Sequence, residues 1–295
     1  MHVAEHLRKK IDIKYFMAGY LACLAVVGIV RSGGEPFGVN SPWSFKALLV
    51  IPVYVVLDLL WTYQRERLWY VPLSSVISAL ILVLVALPAL PLSLVVLLPV
   101  IAVPAKRLGR FGRRRHLFNP AALALVAVSL FTPVVSWWGV AWGLPALITV
   151  SVLGLFILWR QERWHVVIAF FASHFVFLSL FFLYSGIEPS RLFAFLKPQL
   201  FEGTLVFFAT VMLIEPITSN FPGRRARMIY GALVGFFAVV VGVLAGTLPQ
   251  LSPLDPLLTG LILGNLVASL IFLPKRKPEV AGELSAISGT RCLLS

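Results

Sequence analysis

Polar residues that could bind a ligand stand at the ends of two apolar segments of this chain. An Asn-Pro pair begins one segment, and a Glu-Pro pair ends another. The candidate residues are Phe118, Asn119, Pro120, Glu215 and Thr218. If both ends lie on one side of the molecule, together with the basic run 106–115, they would frame a pocket for an anionic or amide-bearing ligand. The alternative is that Asn119 caps a helix and the basic run contacts lipid headgroups.

Three more polar residues, Asp58, His174 and Asn265, lie inside long apolar runs. A carboxylate in hydrocarbon is costly and suggests a functional role. Asp58 is about one turn from the end of its run, however, so an ion pair with Arg65 or Arg67 explains it equally well. His174 is either a proton relay or ligand, or a neutral imidazole bonded to a neighbouring helix. The chain has no hydrolase motif, phosphate-binding loop or Cys-x-x-Cys pair, so the sequence predicts no catalytic residue and no metal.

The composition is that of a protein embedded in a membrane. Apolar residues form 59% of the 295 residues, charged residues only 13%, and the mean hydropathy is +0.93. A soluble domain carries roughly a quarter charged residues. The net charge of +13 sits in short clusters between apolar runs, which indicates contact with membrane lipids and argues against nucleic-acid binding.

Ten apolar runs predict an all-α integral membrane protein with about ten transmembrane helices. Spanning a bilayer takes roughly 20 apolar residues, and proline is tolerated where neighbouring helices satisfy the backbone. The runs are 15–30, 45–62, 73–87, 92–105, 120–135, 139–159, 164–184, 200–217, 229–248 and 257–274.

The positions of Lys and Arg predict that both termini are cytoplasmic, because cytoplasmic loops collect positive charge. With ten helices and the N-terminus inside, all but four of the 25 Lys and Arg residues fall on the cytoplasmic side. The four exceptions are Arg31, Lys46, Arg191 and Lys197. Loss of any one helix from the count would reverse every later loop and remove this bias. We therefore expect a multi-pass protein of the cell membrane.

The chain divides into a basic N-terminus (1–14), a membrane domain (15–274) and a polar tail (275–295) that we expect to be disordered. The membrane domain has possible halves at 15–135 and 139–274. NPAALALVAVSL, from Asn119, resembles DPLLTGLILGNL, from Asp255, and in each a short polar residue precedes a proline. Such pairs suggest two inverted five-helix repeats, as many membrane proteins have. The alternative is that Asx-Pro helix starts are simply common.

Once these residues are located, the chain resembles the B subunit of Na⁺-translocating NADH:quinone reductase (Nqr) and the D subunit of the Rnf complex. The resemblance covers roughly 70–275. Its landmarks are LSSVISALILVL (73–84), LFNPAALALV (117–126), LWRQERWHV (158–166), FFATVMLIEPITSN (207–220), MIYGALVG (228–235) and LTGLILGNLVASLI (258–271). The resemblance implies a ten-helix, flavin-carrying subunit of a membrane redox complex with other subunits as partners.

The chain departs from the family pattern in one important place. The family carries an S-G-A-T-like motif, with an FMN-esterified threonine, between the fifth and sixth helices; here the segment is TPVVSWWG (132–139). We therefore expect no covalent FMN. The resemblance implies a non-covalent flavin (riboflavin or FMN) or a quinone near Phe118, Asn119 and Pro120. Glu215 stands where the family has aspartate.

These observations predict a membrane subunit of an Rnf/Nqr-like, flavin-linked electron-transport complex rather than a self-contained enzyme. The alternative is a transporter or channel for a small solute or a flavin, which an inverted repeat also permits. A third possibility is a scaffold that only docks partners. Few polar residues are available to line a transport path, which favours the redox subunit.

Overall fold

The computed structural model describes residues 13–31, 42–67, 69–108, 110–111 and 115–272. Ten helical segments follow one another in the order α1 (Ile13–Arg31), α2 (Pro42–Glu66), α3 (Leu73–Val85), α4 (Leu92–Leu108), α5 (Pro120–Ser129), α6 (Leu144–Gln161), α7 (Trp164–Tyr184), α8 (Gly203–Phe207, continued as a π-helix over Phe208–Met212), α9 (Gly223–Thr247) and α10 (Pro256–Phe272). A connecting helix, Leu192–Leu200, precedes α8, and 3-10 turns occupy Pro189–Arg191 and Pro249–Leu251. A short hairpin pairs β1 (Arg110–Phe111) with β2 (Arg115–His116). The tail 275–295 and most of the basic N-terminus lie outside the described residues.

Each predicted apolar run contains a helix, and the protein is helical as expected. Among the described residues, α1, α6, α7 and α9 are long and apolar enough to cross a membrane. The pair Pro189–Leu200 and Gly203–Met212, bent by 62°, adds a fifth span if the two parts are counted together. The helices α3, α5 and α10 are apolar but shorter. The number of ten crossings and the cytoplasmic placement of both termini therefore stay predictions.

Exposed apolar helix faces account for part of the high apolar content. On α6, Leu144, Ile148, Val152 and Leu155 are all exposed, and they recur every three or four residues along one face. In water such a face would be unfavourable, but against lipid tails it costs nothing. The exposed apolar stripe therefore fits a helix at the edge of a membrane bundle.

Two short helices begin where the Asx-Pro pairs predict. The Ala122 amide donates to Asn119 Oδ1 at 3.1 Å, and the Leu258 amide donates to Asp255 Oδ1 at 2.8 Å. In both, proline occupies the first helical position, where an N–H would have no partner within the helix in any case. The end of α5 differs from the prediction: the helix stops at Ser129, although the apolar run continues to Val135.

The segment 132–139 forms a cap on the C-terminal end of α3. The Ser136 and Gly139 amides donate to the carbonyls of Val85 and Leu84, each at 3.0 Å, and the Trp138 indole donates to Val83 O at 2.6 Å. The last carbonyls of a helix have no partner within the helix itself. This segment therefore allows α3 to end inside the protein.

Glycines bring α9 into close contact with α7 and α10. A Cβ atom added at Gly231 would lie 2.3 Å from the carbonyl oxygen of Val166, and one at Gly264 would lie 2.4 Å from a methyl group of Val234. Small residues at helix crossings are the usual means of close packing in membranes, where apolar burial does not drive association.

Four of the five packing contacts among the first five helices recur five helices later; the fifth, α3–α5, has no comparable counterpart among the described residues. The pairs α1–α3, α2–α3, α2–α4 and α4–α5 correspond to α6–α8, α7–α8, α7–α9 and α9–α10, and all eight are in contact. The helices α5 and α10 also contact each other, as do α1 and α6. A five-plus-five repeat would produce this pattern. The boundaries of the two halves and their opposite directions remain predictions.

Candidate functional site

A small cavity lies between the two predicted helix ends, and we call it the Asn119 cavity. Its volume is about 150 Å³. Its polar lining residues are Lys14, Ser74, Ser78, Asn119, Gln161 and Glu215, and side chains such as Ile77, Ile81 and Val211 supply the apolar lining. The start of α3, the start of α5 and the end of α8 thus meet around one space.

Asn119 and Glu215 each form a hydrogen bond with a residue three positions further along the chain. Asn119 is 3% exposed, and its Oδ1 caps α5. Glu215 accepts a hydrogen bond from the Thr218 hydroxyl at 3.2 Å. Burial raises the pKa of Glu215 to about 7, although Thr218, the charge of Lys106 and a bond from Asn119 oppose that rise. Glu215 can therefore exchange a proton near neutral pH.

The other predicted site residues, Phe118, Pro120 and Thr218, lie outside the Asn119 cavity. Phe118 is half-buried beside the cap, Pro120 is the buried first residue of α5, and Thr218 is buried against Glu215. None of these three side chains lines the Asn119 cavity. Of the basic run, Lys106 and Arg107 are described in detail; the side chains of 108–116 lie outside the described part.

Asp58 is the centre of a buried ionic network, with 0% of its surface exposed. Lys106 Nζ lies 3.2 Å from Asp58 Oδ2, and Arg107 Nη2 lies 2.8 Å from Asp58 Oδ1. The hydroxyl groups of Ser75 and Tyr70 also donate to Asp58 Oδ2. The network joins α2, the start of α3 and the end of α4. The partners are thus Lys106 and Arg107, and not the neighbouring Arg65 or Arg67 that the sequence suggested.

The network and the Asn119 cavity form one continuous polar region. Lys106 Nζ donates to Ser74 Oγ at 2.9 Å, and Ser74 lines the cavity. Lys106 also acts electrostatically on Glu215. A change of charge at Glu215 is therefore felt by the buried network, since low-dielectric surroundings screen charges weakly.

A second and larger cavity, which we call the Asp255 cavity, has a volume of about 560 Å³. Its polar and aromatic lining residues include Trp137, His174, Phe181, Gln199, Glu202 and Asp255. His174 is 5% exposed, and its Nε2 lies 2.9 Å from Gln199 Oε1. His174 therefore has the polar neighbour that the simpler interpretation predicts, and it also faces a cavity.

The two cavities lie at opposite ends of α8. Thr204 and Leu205, at the start of α8, line the Asp255 cavity, whereas Val211 and Glu215 line the Asn119 cavity. Within α8, Leu205 and Val211 are six residues apart, or about 9 Å. Each cavity also lies beside one of the two Asx-Pro helix starts.

Asn265 is fully buried in α10 with 0% of its surface exposed. Neither its Oδ1 nor its Nδ2 has a hydrogen-bond partner in the described part of the chain. Unpaired buried amide groups are rare, and an ordered water or bound ligand is a common explanation. Asn265 lines neither of the two cavities.

The size of the Asn119 cavity bears on the flavin hypothesis. Pockets for drug-sized molecules typically enclose about 300–1,000 Å³. At about 150 Å³ the Asn119 cavity is smaller than this. This volume by itself does not support a three-ring flavin there, and the flavin contact of Asn119 and Glu215 stays a prediction.

Sequence reasoning missed the roles of Lys106, Arg107 and Asp255. Asp58 and Lys106 are 48 residues apart, so no local spacing links them. The sequence identifies Asp255 only as a helix start; its second oxygen accepts a hydrogen bond from the Trp137 indole at 2.7 Å. Asp255 and Trp137 are 118 residues apart, and again only the folded chain brings them together.

Comparison with known proteins gives a partial match to a membrane redox complex. Over 94 residues, which are 32% of this chain, the sequence is 33% identical to the D subunit of the ion-translocating oxidoreductase complex of Klebsiella pneumoniae (strain 342). The matched stretch covers 25% of that protein's length. No family model matches the chain. The chain is thus similar, over about a third of its length, to part of a subunit of an oxidoreductase complex.

Proposed function

We propose that this protein is a membrane subunit of an ion-translocating oxidoreductase complex and assists electron transfer across or along the membrane. The observation that carries the proposal is the 33% identity over 94 residues with the D subunit of such a complex. The helices that are able to cross a membrane support it. The proposal includes ten crossings, cytoplasmic termini and association with other subunits.

In this proposal the flavin chemistry is supplied by a non-covalently bound cofactor, held by a partner or at a surface shared with one. The chain itself contributes positioning and electrostatics. Glu215, with its pKa near 7, and the Asp58 network are the groups that would respond to a nearby change of charge. A proton taken up by Glu215 would offset part of that change.

A transporter is the second candidate, because the two cavities lie at opposite ends of one helix. Between them, α8 offers only one polar side chain, Thr210, whose hydroxyl donates to Val206 O at 2.7 Å within the helix. Thr210 is also in close contact with α6, since a Cβ atom at Gly154 would lie 2.7 Å from its Oγ1. The single polar side chain along this part of α8, already bonded within the helix, supports the redox subunit over solute passage.

Purification of the tagged chain from its native membrane in mild detergent tests the proposal. We expect other subunits to co-purify, and we expect the preparation to show the visible absorption of a flavin. Acid precipitation should release that flavin into solution, because we propose no covalent attachment. A chain that purifies alone and colourless would contradict the redox proposal.

The same preparation distinguishes the second candidate. Reconstituted into liposomes without partners, a transporter would carry a solute such as radiolabelled riboflavin into the vesicles, and a redox subunit would not. Saturable uptake by the wild-type protein would favour transport.

A further inference from the structure

We propose that the Asp255 cavity is a binding site for an organic cation, which its carboxylates and aromatic rings recognise together. This inference does not depend on the redox function proposed above, because it rests only on the lining of this cavity. The cavity is formed by α7, the connecting helix before α8, the C-terminal half of α9 and the start of α10.

The charge of the lining is negative. Asp255 and Glu202 line the cavity, and no Lys or Arg does. In the described part of the chain, neither carboxylate has a basic nitrogen within 4.0 Å; the ion pairs there involve Asp58 and Glu188. Burial raises the pKa of Asp255, against the opposing bonds from Leu258 and Trp137, as expected for an acid without a compensating cation. A bound cation would supply the compensating positive charge.

The acceptor capacity of Asp255 is only partly used. One oxygen caps α10 and the other accepts from the Trp137 indole. A carboxylate has about four lone-pair sites, and the Leu257 backbone also hydrogen-bonds Asp255, so about one direction stays open to a ligand. Trp137 itself has a φ of 54°, a left-handed conformation that is unfavourable for a large side chain. Backbone strain of this kind clusters at binding and active sites.

The aromatic and apolar lining selects the type of cation. The rings of Trp137 and Phe181 line the cavity, and the face of such a ring attracts ammonium groups. Leu178, Leu205 and Val239 add apolar surface. In the described residues no group of three His, Cys, Asp or Glu side chains is placed to hold a metal ion. A volume of about 560 Å³ therefore fits an alkylated or arylated ammonium compound better than a bare ion.

Calorimetric titration of the detergent-solubilised protein tests this inference, with choline as the cationic probe and 3,3-dimethylbutan-1-ol as its neutral isostere. We expect saturable binding of choline and at least about tenfold weaker binding of the isostere, since the two differ only in charge. We also expect benzyltrimethylammonium, which adds a ring, to bind more tightly than choline.

Two variants locate the site. Asp255→Asn removes the charge and loses the bond from the Trp137 indole but keeps an oxygen that can cap α10, so the fold should survive while choline affinity falls about tenfold. Glu202→Gln, at an exposed position, should lower the affinity by a smaller factor. Glu188→Gln is the matched control, because Glu188 is exposed, pairs with Arg191 and does not line the cavity. Its choline affinity should be that of the wild type.

Three results would overturn the inference. The first is equal affinity for choline and its isostere, which would mean that charge is not recognised. The second is absence of saturable binding of either ammonium compound. The third is unchanged choline affinity in both Asp255→Asn and Glu202→Gln, with unfolding temperatures that show both variants to be folded.

Discussion

Asp58 illustrates how a buried charge is made tolerable in this protein. The carboxylate has two basic partners, Lys106 and Arg107, and hydroxyl donors from Tyr70 and Ser75. Removal of two opposite charges from water costs several kcal/mol each, and good geometry with extra hydrogen bonds is needed to recover that cost. The network therefore ties α2, α3 and α4 together beside the Asn119 cavity.

We predict that Asp58→Asn destabilises the protein strongly. The change leaves the ammonium of Lys106 and the guanidinium of Arg107 buried without a counter-charge, and breaking such a pair costs roughly 3–5 kcal/mol. The midpoint of denaturant unfolding in detergent would measure the loss. Arg191→Gln is the control: it breaks the exposed pair with Glu188, which is worth at most about 1 kcal/mol. Equal effects of the two changes would contradict the prediction.

Glu215 predicts a pH dependence of stability. Its pKa in the folded protein is about 7, raised from the ordinary 4.5. The folded state therefore binds this proton more tightly than the unfolded state, and the associated stability is complete below about pH 4.5 and is lost as the pH rises through 7. Lys106, Asn119 and Thr218 act on Glu215, and Lys14 lines the same cavity. The positive charge of Lys106 opposes the shift but does not cancel it.

Glu215→Gln should remove this contribution. Between pH 5 and pH 8 the variant should lose less stability than the wild type, by up to roughly 3 kcal/mol. Thermal unfolding at a series of pH values gives the comparison. Glu188→Gln, on the exposed surface, should keep the wild-type pH profile. If Glu215→Gln also keeps it, Glu215 does not titrate in this range.

At the scale of elements, hydrogen-bond caps fix where the short helices begin or end. Asn119 and Asp255 cap the starts of α5 and α10, and segment 132–139 satisfies the end of α3. The π-helix Phe208–Met212 is buried throughout and continues α8 towards Glu215. Such π segments often occur at functional sites. The caps and the π-helix together allow helix ends, with their polar residues, to lie inside a mostly apolar bundle.

The close crossing of α7 and α9 makes a prediction for Gly231. The Gly231→Ala variant would place its Cβ 2.3 Å from the Val166 carbonyl oxygen, which forces the two helices apart. Overpacking of this kind typically costs about 1–3 kcal/mol, measurable as a lower unfolding midpoint.

Gly246 is the matched control on the same helix. A Cβ atom there would meet nothing within 4 Å, and alanine favours helix more than glycine by about 1 kcal/mol. Gly246→Ala should therefore be neutral or stabilising. A similar loss of stability in both variants would show that the α7–α9 contact is not the cause.

For the whole molecule, the ten-crossing topology is the main prediction. In a background without Cys23 and Cys292, a cysteine at Ser190 should react with an impermeant thiol reagent added outside intact cells. Cysteines at Arg114 and Lys277 should react only after the membrane is opened. The physical basis is the concentration of Lys and Arg in cytoplasmic loops. Labelling of Arg114→Cys in intact cells would contradict the predicted topology.

The packing pattern extends this argument. Since four of the five contacts among α1–α5 recur in α6–α10, two five-helix units would pack alike, and an odd number of crossings in each would point them in opposite directions. The Asn119 and Asp255 cavities would then be related positions on opposite sides. Their linings differ: Lys14 and Glu215 both line the Asn119 cavity, whereas Glu202 and Asp255 line the Asp255 cavity without a Lys or Arg.

The sequence by itself determined the class of this protein and several helix starts. Apolar runs predict helices because only helices satisfy backbone groups in lipid, and Asn119-Pro120 and Asp255-Pro256 predict caps from purely local geometry. Grouping Asn119 with Glu215 also followed from sequence, because both stand at helix ends that the topology places on one side.

Only the tertiary structure decided the partners of the buried charges, the early end of α5 and the larger cavity. Asp58 meets Lys106, and Trp137 meets Asp255, across 48 and 118 residues. Such contacts depend on how whole helices cross, and crossings depend on side-chain shape and on small residues such as Gly231. Local periodicity carries no information about distances of this kind, whereas caps and apolar runs act within a few residues and can be recognised directly in the chain.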